Sequence, residues 1–214
     1  MASLQRAFWV AVAVGVALGV AGQTASDLHP ELRWVVALGV PWLVTAFLAG
    51  AIVGDRWRGA LAGALALVVG TFAYYALRVT LGGGGPLAAG GELLRGAPVV
   101  IGWCVASLGG GAAFGLAGAE WRRGGALATV AGSALVSGAL IGEALLLAGE
   151  WAGRGARVVL AAELIAGVAL AFVLARRWTL LVPALALTAF VAVGVAVTED
   201  GVRDALRAVG WNGA

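Results

Sequence analysis

The sequence predicts an all-α integral membrane bundle: about seven transmembrane helices, arranged as one N-terminal helix and three helical hairpins, with a short C-terminal interfacial helix. Three observations carry that prediction. First, the 214 residues are 62% hydrophobic and only 12% charged, whereas soluble domains hold about 45–50% apolar and about 25% charged residues. That leaves too little polar material for a water-facing coat, and the mean hydropathy is +0.99. Second, the apolar runs reach the roughly 20 residues that a bilayer core of about 30 Å demands of a helix. Third, one design recurs. AFLAGAIVGDRWRGALAGALALVVG, Ala46 to Gly70, reads as two spans joined by the turn Asp55-Arg56-Trp57-Arg58. It returns from Ala113 to Gly138 and from Ala171 to Gly194, each time with Ala-Phe, a turn bearing Trp and two Arg, and a further apolar helix.

The first span covers residues 4–22. Its apolar run follows Arg6 as in a signal peptide, but it is too long for such an h-region, and Gly22-Gln23-Thr24 is a poor cleavage site. The hairpins then supply spans at 34–54 and 59–80, 97–119 and 126–149, and 158–175 and 179–197. Between them, Gly82–Gly85 and Pro86 read as a flexible loop. GGGGP lacks the Lys-Ser/Thr that a phosphate loop needs. In the tail, Val202, Leu206 and Val209 fall on one helical face and Arg203, Asp204 and Arg207 on another, so 199–209 reads as a short interfacial helix. The whole length, 1–214, reads as a single domain.

Orientation follows from arginine density. All fourteen basic residues are Arg, and seven of them (Arg6, Arg56, Arg58, Arg122, Arg123, Arg176, Arg177) lie at the N-terminus and in the three tight turns. The positive-inside rule puts that side in the cytoplasm of a plasma (inner) membrane. Residues 23–33, 82–96 and 150–157 and the C-terminus then face outward. Trp57, Trp121 and Trp178 sit at turn level, where amphipathic rings favour the headgroups. With no basic run interleaved with aromatics, no nucleic-acid partner is expected.

Small residues at GxxxG spacing (Gly15/Gly19, Gly50/Gly54, Gly59/Gly63, Gly111/Gly115, Gly138/Gly142) predict close helix packing, within the bundle or across a homodimer.

Ionisable groups inside spans are costly and mark function by default. Glu143 lies seven residues before the end of its span, about 10 Å deep at 1.5 Å per residue. Glu163 enters its own span to a similar depth, and Arg78 follows Tyr74 and Tyr75 near the end of the third. All three approach the extracytoplasmic end. The candidate ligand site is therefore Glu143, Glu163, Arg78, Tyr74 and Tyr75, with Arg78 neutralising one carboxylate and the other serving a cation, a hydrogen-bonding solute or a proton. The structural alternative is that the glutamates tie neighbouring helices through Arg78 or backbone groups, while Arg78 snorkels.

Catalysis is not expected. The one histidine, His29, lies in a loop beside Pro30, and no Asp lies within a span. HExxH spacing is missing, Cys104 is the only cysteine, and with no Lys there is no Schiff-base chemistry. No metal or other cofactor is implied. Ser107, Ser133 and Ser137 read as hydrogen bonds between helices.

WLVTAFLAG with RWRGALAGALAL and Tyr74-Tyr75, then FGLAGAEWRRG, then Gly142-Glu143-Ala144-Leu145, resemble an uncharacterised actinobacterial multi-pass membrane family known only as a domain of unknown function. The resemblance covers residues 34–177 and implies a plasma-membrane helical bundle with no activity to transfer. In size, glycine-rich helices and outer-leaflet polar residues, the chain is also similar to the substrate-binding components of energy-coupling-factor vitamin transporters, a likeness of architecture alone.

Two functional readings follow. The first is a protein that binds or helps transport a small solute through a pocket open to the extracytoplasmic side, beside a partner membrane subunit that supplies energy. All three turns lie on one side, so the repeats are parallel rather than inverted, which favours a binding subunit over alternating access. The second is a non-transporting scaffold or accessory subunit of a larger complex, with the GxxxG faces and Trp/Arg turns as partner surfaces.

Overall fold

The computed structural model describes residues 2–28, 39–81, 85–150, 154–175 and 177–208. Among these, seven α-helices follow one another: α1 (Ala2–Leu28), α2 (Val40–Val53), α3 (Arg56–Leu81), α4 (Gly85–Arg123), α5 (Ala126–Glu150), α6 (Arg154–Leu174) and α7 (Trp178–Ala208). Six of them, all but α2, are long and apolar enough to cross a membrane.

The helix ends follow from local chemistry. At Gly54 the backbone turns left-handed (φ 71°) and returns its N–H to the Gly50 carbonyl at 2.8 Å. That conformation suits glycine and stops α2. Asp55 then caps α3, its Oδ1 accepting the Arg58 N–H at 3.0 Å. The turn is thus Gly54-Asp55 alone, and Arg56, Trp57 and Arg58 form the first turn of α3. Gly124, also left-handed (φ 82°), separates α4 from α5.

α1 runs on to Leu28, into the predicted 23–33 loop, and α6 starts at Arg154 rather than 158; three further boundaries need correction. Of the span at 34–54, the described helix is Val40–Val53. The chain bends at Gly39, and Pro41, which has no N–H to give, sits in the first helical turn; residues 34–38 lie outside the described ones. The loop predicted across 82–96 is helix from Gly85 onwards, because Pro86 also fits a helical first turn. The tail is no separate interfacial helix either, since α7 continues unbroken to Ala208; Val209, His29, Pro30 and Arg176 lie outside the described residues.

α3 packs between α1 and α4, and α2 lies on α3 and α4. α4 meets α5, which in turn carries α6 and α7 on its flanks. The glycines decide how close these approaches are. Gly50 and Gly118 sit directly on the backbones of Gly115 and Phe47, Gly63 on Gly111, and Gly15 on Ala66, so that any side chain there would overlap the neighbouring chain. Gly138 and Gly142 press α5 onto α7 at Thr188, Val191 and Ala192. Every GxxxG pair therefore contributes to contacts within the bundle.

The arginine turns gather at one end. Arg56 Nε meets Glu120 Oε1 at 2.5 Å, with Arg123 at 3.6 Å from the same oxygen. Trp121 departs from the expected headgroup anchor. Its indole N–H donates to the Leu174 carbonyl at 3.0 Å, and its ring packs on Phe47 and Gly132. Trp57 and Trp178, at 75% and 81% exposure, do fit that expectation.

Candidate functional site

The first turn of a helix presents N–H groups that have no partner within the helix, and inside a bilayer water cannot supply one. At the start of α2 the N–H groups of Trp42 and Leu43 fold back on the Gly39 carbonyl, both at 3.1 Å. Gly39 has no side chain with which to cap the helix. The amides of Gly39 and Val40 instead reach across to α5, where Glu143 accepts them on Oε1 at 2.5 Å and on Oε2 at 2.9 Å. Glu143 is 0% exposed and heads the largest fully buried side chains.

Burying a carboxylate costs several kcal/mol unless charge and hydrogen bonds compensate it. Here both do so. A hydrogen bond to a charged group is worth about 1.5–3 kcal/mol, and the positive end of a helix favours an anion by up to about 2 kcal/mol in buried settings.

For a bundle that spans a bilayer, two lengths set the depth of this contact. Fourteen residues of α2 make a helix of about 21 Å, which falls about 9 Å short of a core about 30 Å thick. Glu143 lies seven residues before the end of α5 at Glu150, or about 10 Å from it. Both figures put the start of α2 at the same depth.

Around this point the other expected residues are spread over two helices, α3 and α6. The Trp42 ring meets Tyr74 edge-on at 6.4 Å, and Tyr74 meets Tyr75 likewise at 5.2 Å. Gly70, one turn before Tyr74, lets Trp42 and the Gly15 backbone of α1 close over it. Tyr74 thus belongs to the wall beside the α2 terminus. Arg78, one turn further along α3, is exposed, and among the described residues it pairs with neither glutamate. Glu143 accepts the two backbone amides at the start of α2 instead.

Glu163 is 7% exposed. Gly167, one turn on along α6, packs on Ser137, Leu140 and Ile141 of α5. Glu163 shares that helical face, so the α5–α6 hairpin carries it toward the level of Glu143.

The serines divide. Ser107 Oγ hydrogen-bonds Thr71 Oγ1 at 3.2 Å between α4 and α3, as expected. Ser133 turns back to the Val130 carbonyl of its own helix at 3.0 Å. Ser137 Oγ and Thr188 Oγ1 are buried without a hydrogen-bond partner among the described residues. Among those residues no three His, Cys, Asp or Glu side chains come together as a metal-holding group.

Sequence reasoning offered backbone groups as one partner for Glu143 but did not say which. Gly39-Val40-Pro41 carried the available signal, a glycine just ahead of a proline in a helix-start position. Glu120 was missed, although it directly precedes Trp121-Arg122-Arg123.

The chain belongs to a family of unknown function, DUF6518, whose model matches residues 1–203. No curated protein and no solved structure matches it.

Proposed function

We propose that this DUF6518 protein is a non-enzymatic membrane bundle that binds, or helps to carry, a small solute at the end remote from its arginine turns. The observation that supports the reading is the buried Glu143 carboxylate on the Gly39 and Val40 amides. A helix that begins inside the membrane presents its positive terminus to the protein interior. Membrane proteins that bind solutes and ions build sites from such interrupted helices. In this reading Glu143 holds the α2 terminus, Glu163 meets a cationic or hydrogen-bonding group of the solute, and Tyr74 and Tyr75 form the wall, with Arg78 at the rim.

A second reading, an accessory subunit that carries no solute, is favoured by the complete burial of Glu143, which then acts as a strut and nothing more.

A thermal-shift screen separates the two, because a ligand that binds only the folded state raises stability by mass action. Detergent-purified wild type, Glu143→Gln and Glu163→Gln would be tested against amines, amino acids, vitamins and metal ions. A compound-specific rise in Tm that Glu163→Gln abolishes supports the solute reading. No rise with any compound, combined with a low basal Tm for Glu143→Gln, supports the accessory subunit.

A further inference from the structure

At the opposite end of α2, a cavity of about 130 Å³ opens between the first turns of α1, the last turn of α2 and the first turn of α3. Its wall divides by chemistry. Arg6 and Arg58 supply two guanidinium groups, Asp55 one carboxylate, and Val10, Ile52 and Val53 an apolar face. Among the described residues the ionisable lining thus carries two positive charges against one negative. The Asp55 carboxylate is engaged in capping α3 through the Arg58 amide. Ile52 is exposed, as are Phe8 and Trp9 on the neighbouring turns of α1, so the apolar face runs out onto the side of the bundle. Arg6 forms no ion pair among the described residues.

We infer that this cavity is a binding site for an anionic phospholipid, with the headgroup phosphodiester held between Arg6 and Arg58 and the first methylenes of an acyl chain along Val10, Ile52 and Val53. A guanidinium binds phosphate oxygens through paired, charge-assisted hydrogen bonds. Basic pockets between transmembrane helices at the membrane surface select anionic headgroups for the same reason. Free phosphate offers the same anion but makes no use of the apolar half of the wall. The site is independent of the solute reading, which concerns the other end of α2.

The test uses the purified full chain. After delipidation it is offered equimolar phosphatidylglycerol and phosphatidylcholine with matched acyl chains, and native mass spectrometry reads the ratio retained. Wild type is expected to retain phosphatidylglycerol preferentially. Arg6→Gln and Arg58→Gln should each weaken that preference about fivefold, and the double variant about thirtyfold. Arg123→Gln makes the same charge change at the same end but outside the cavity, and should leave the ratio unchanged.

An equal loss in Arg123→Gln would reduce the effect to general surface charge and overturn the site. Displacement of the lipid by inorganic phosphate alone would make it a free-anion site and overturn the lipid assignment. If the arginine variants do not fold, a photo-crosslinkable phosphatidylglycerol on wild type decides. Adducts concentrated on the first turns of α1 and the last turn of α2 support the site, and adducts spread along α6 and α7 sink it.

Discussion

Glu143, two-thirds of the way along the chain, closes the start of α2 by accepting the Val40 amide at 2.9 Å across 103 residues of sequence. It does from a distance what an N-cap side chain does locally. The reason lies at Gly39, which sits at the cap position and has no side chain to offer. The same contact ties α2 to α5, two helices that otherwise touch little.

Glu143→Ala removes both acceptors and leaves two amides buried and unbonded. The expected loss is about 2–6 kcal/mol, from about 1–3 kcal/mol for each donor left unsatisfied. Glu143→Gln keeps one acceptor oxygen and should lose about 1–3 kcal/mol. Unfolding in a mixed-detergent titration measures both, and equal losses for Ala and Gln would contradict the two-amide geometry.

Trp121 and Trp178 stand in equivalent turns but should respond differently. Trp121→Phe forfeits the hydrogen bond to Leu174, about 1 kcal/mol. Trp121→Ala also empties the space against Phe47 and Gly132, and should cost about 3–5 kcal/mol. Trp178→Ala, on an exposed ring, should barely change detergent stability. Thermal unfolding of the three variants tests the contrast.

The glycines divide in the same manner. A side chain at Gly50 or Gly118 would overlap the backbone of the facing helix, so Gly50→Val and Gly118→Val should prevent the bundle from forming. Nothing lies within reach of Gly109 or Gly194. There, replacement by alanine should be neutral or stabilising by up to about 1 kcal/mol, the usual gain in a helix interior. Monodispersity on size-exclusion chromatography and Tm would read both outcomes.

Ser137→Ala and Thr188→Val exchange buried hydroxyls that have no hydrogen-bond partner among the described residues for methyl groups. An unbonded polar group is costly in an apolar interior, by about 1–3 kcal/mol on mutational scales. Both variants should therefore equal or exceed the wild-type Tm. A marked drop in either would mean that the hydroxyl has a partner in the membrane.

Composition and periodicity sufficed for the helices because they are local properties. A run of about 20 apolar residues must be helical in lipid, whatever surrounds it, since its amides have nowhere else to bond. The neighbourhoods of the first two hairpin turns were legible for the same reason, though not the glycines Gly54 and Gly124 that make them, and so were the two glutamates, whose presence in an apolar run is itself the signal. Arg78 was legible as a charge but not as an exposed group, because its surroundings depend on how α3 packs.

Acting alone, the sequence determined an all-helical membrane chain, the end at which its arginines collect, and the few polar groups placed within its spans. The tertiary structure alone decided that the GxxxG faces meet within the chain, that Trp121 turns inward, and that Glu143 bonds Gly39 and Val40. The physical reason is that burial in lipid acts on each segment separately, whereas helix contacts and buried hydrogen bonds join residues a hundred positions apart. The direction in which a side chain points across that gap is set by the packing of the whole bundle.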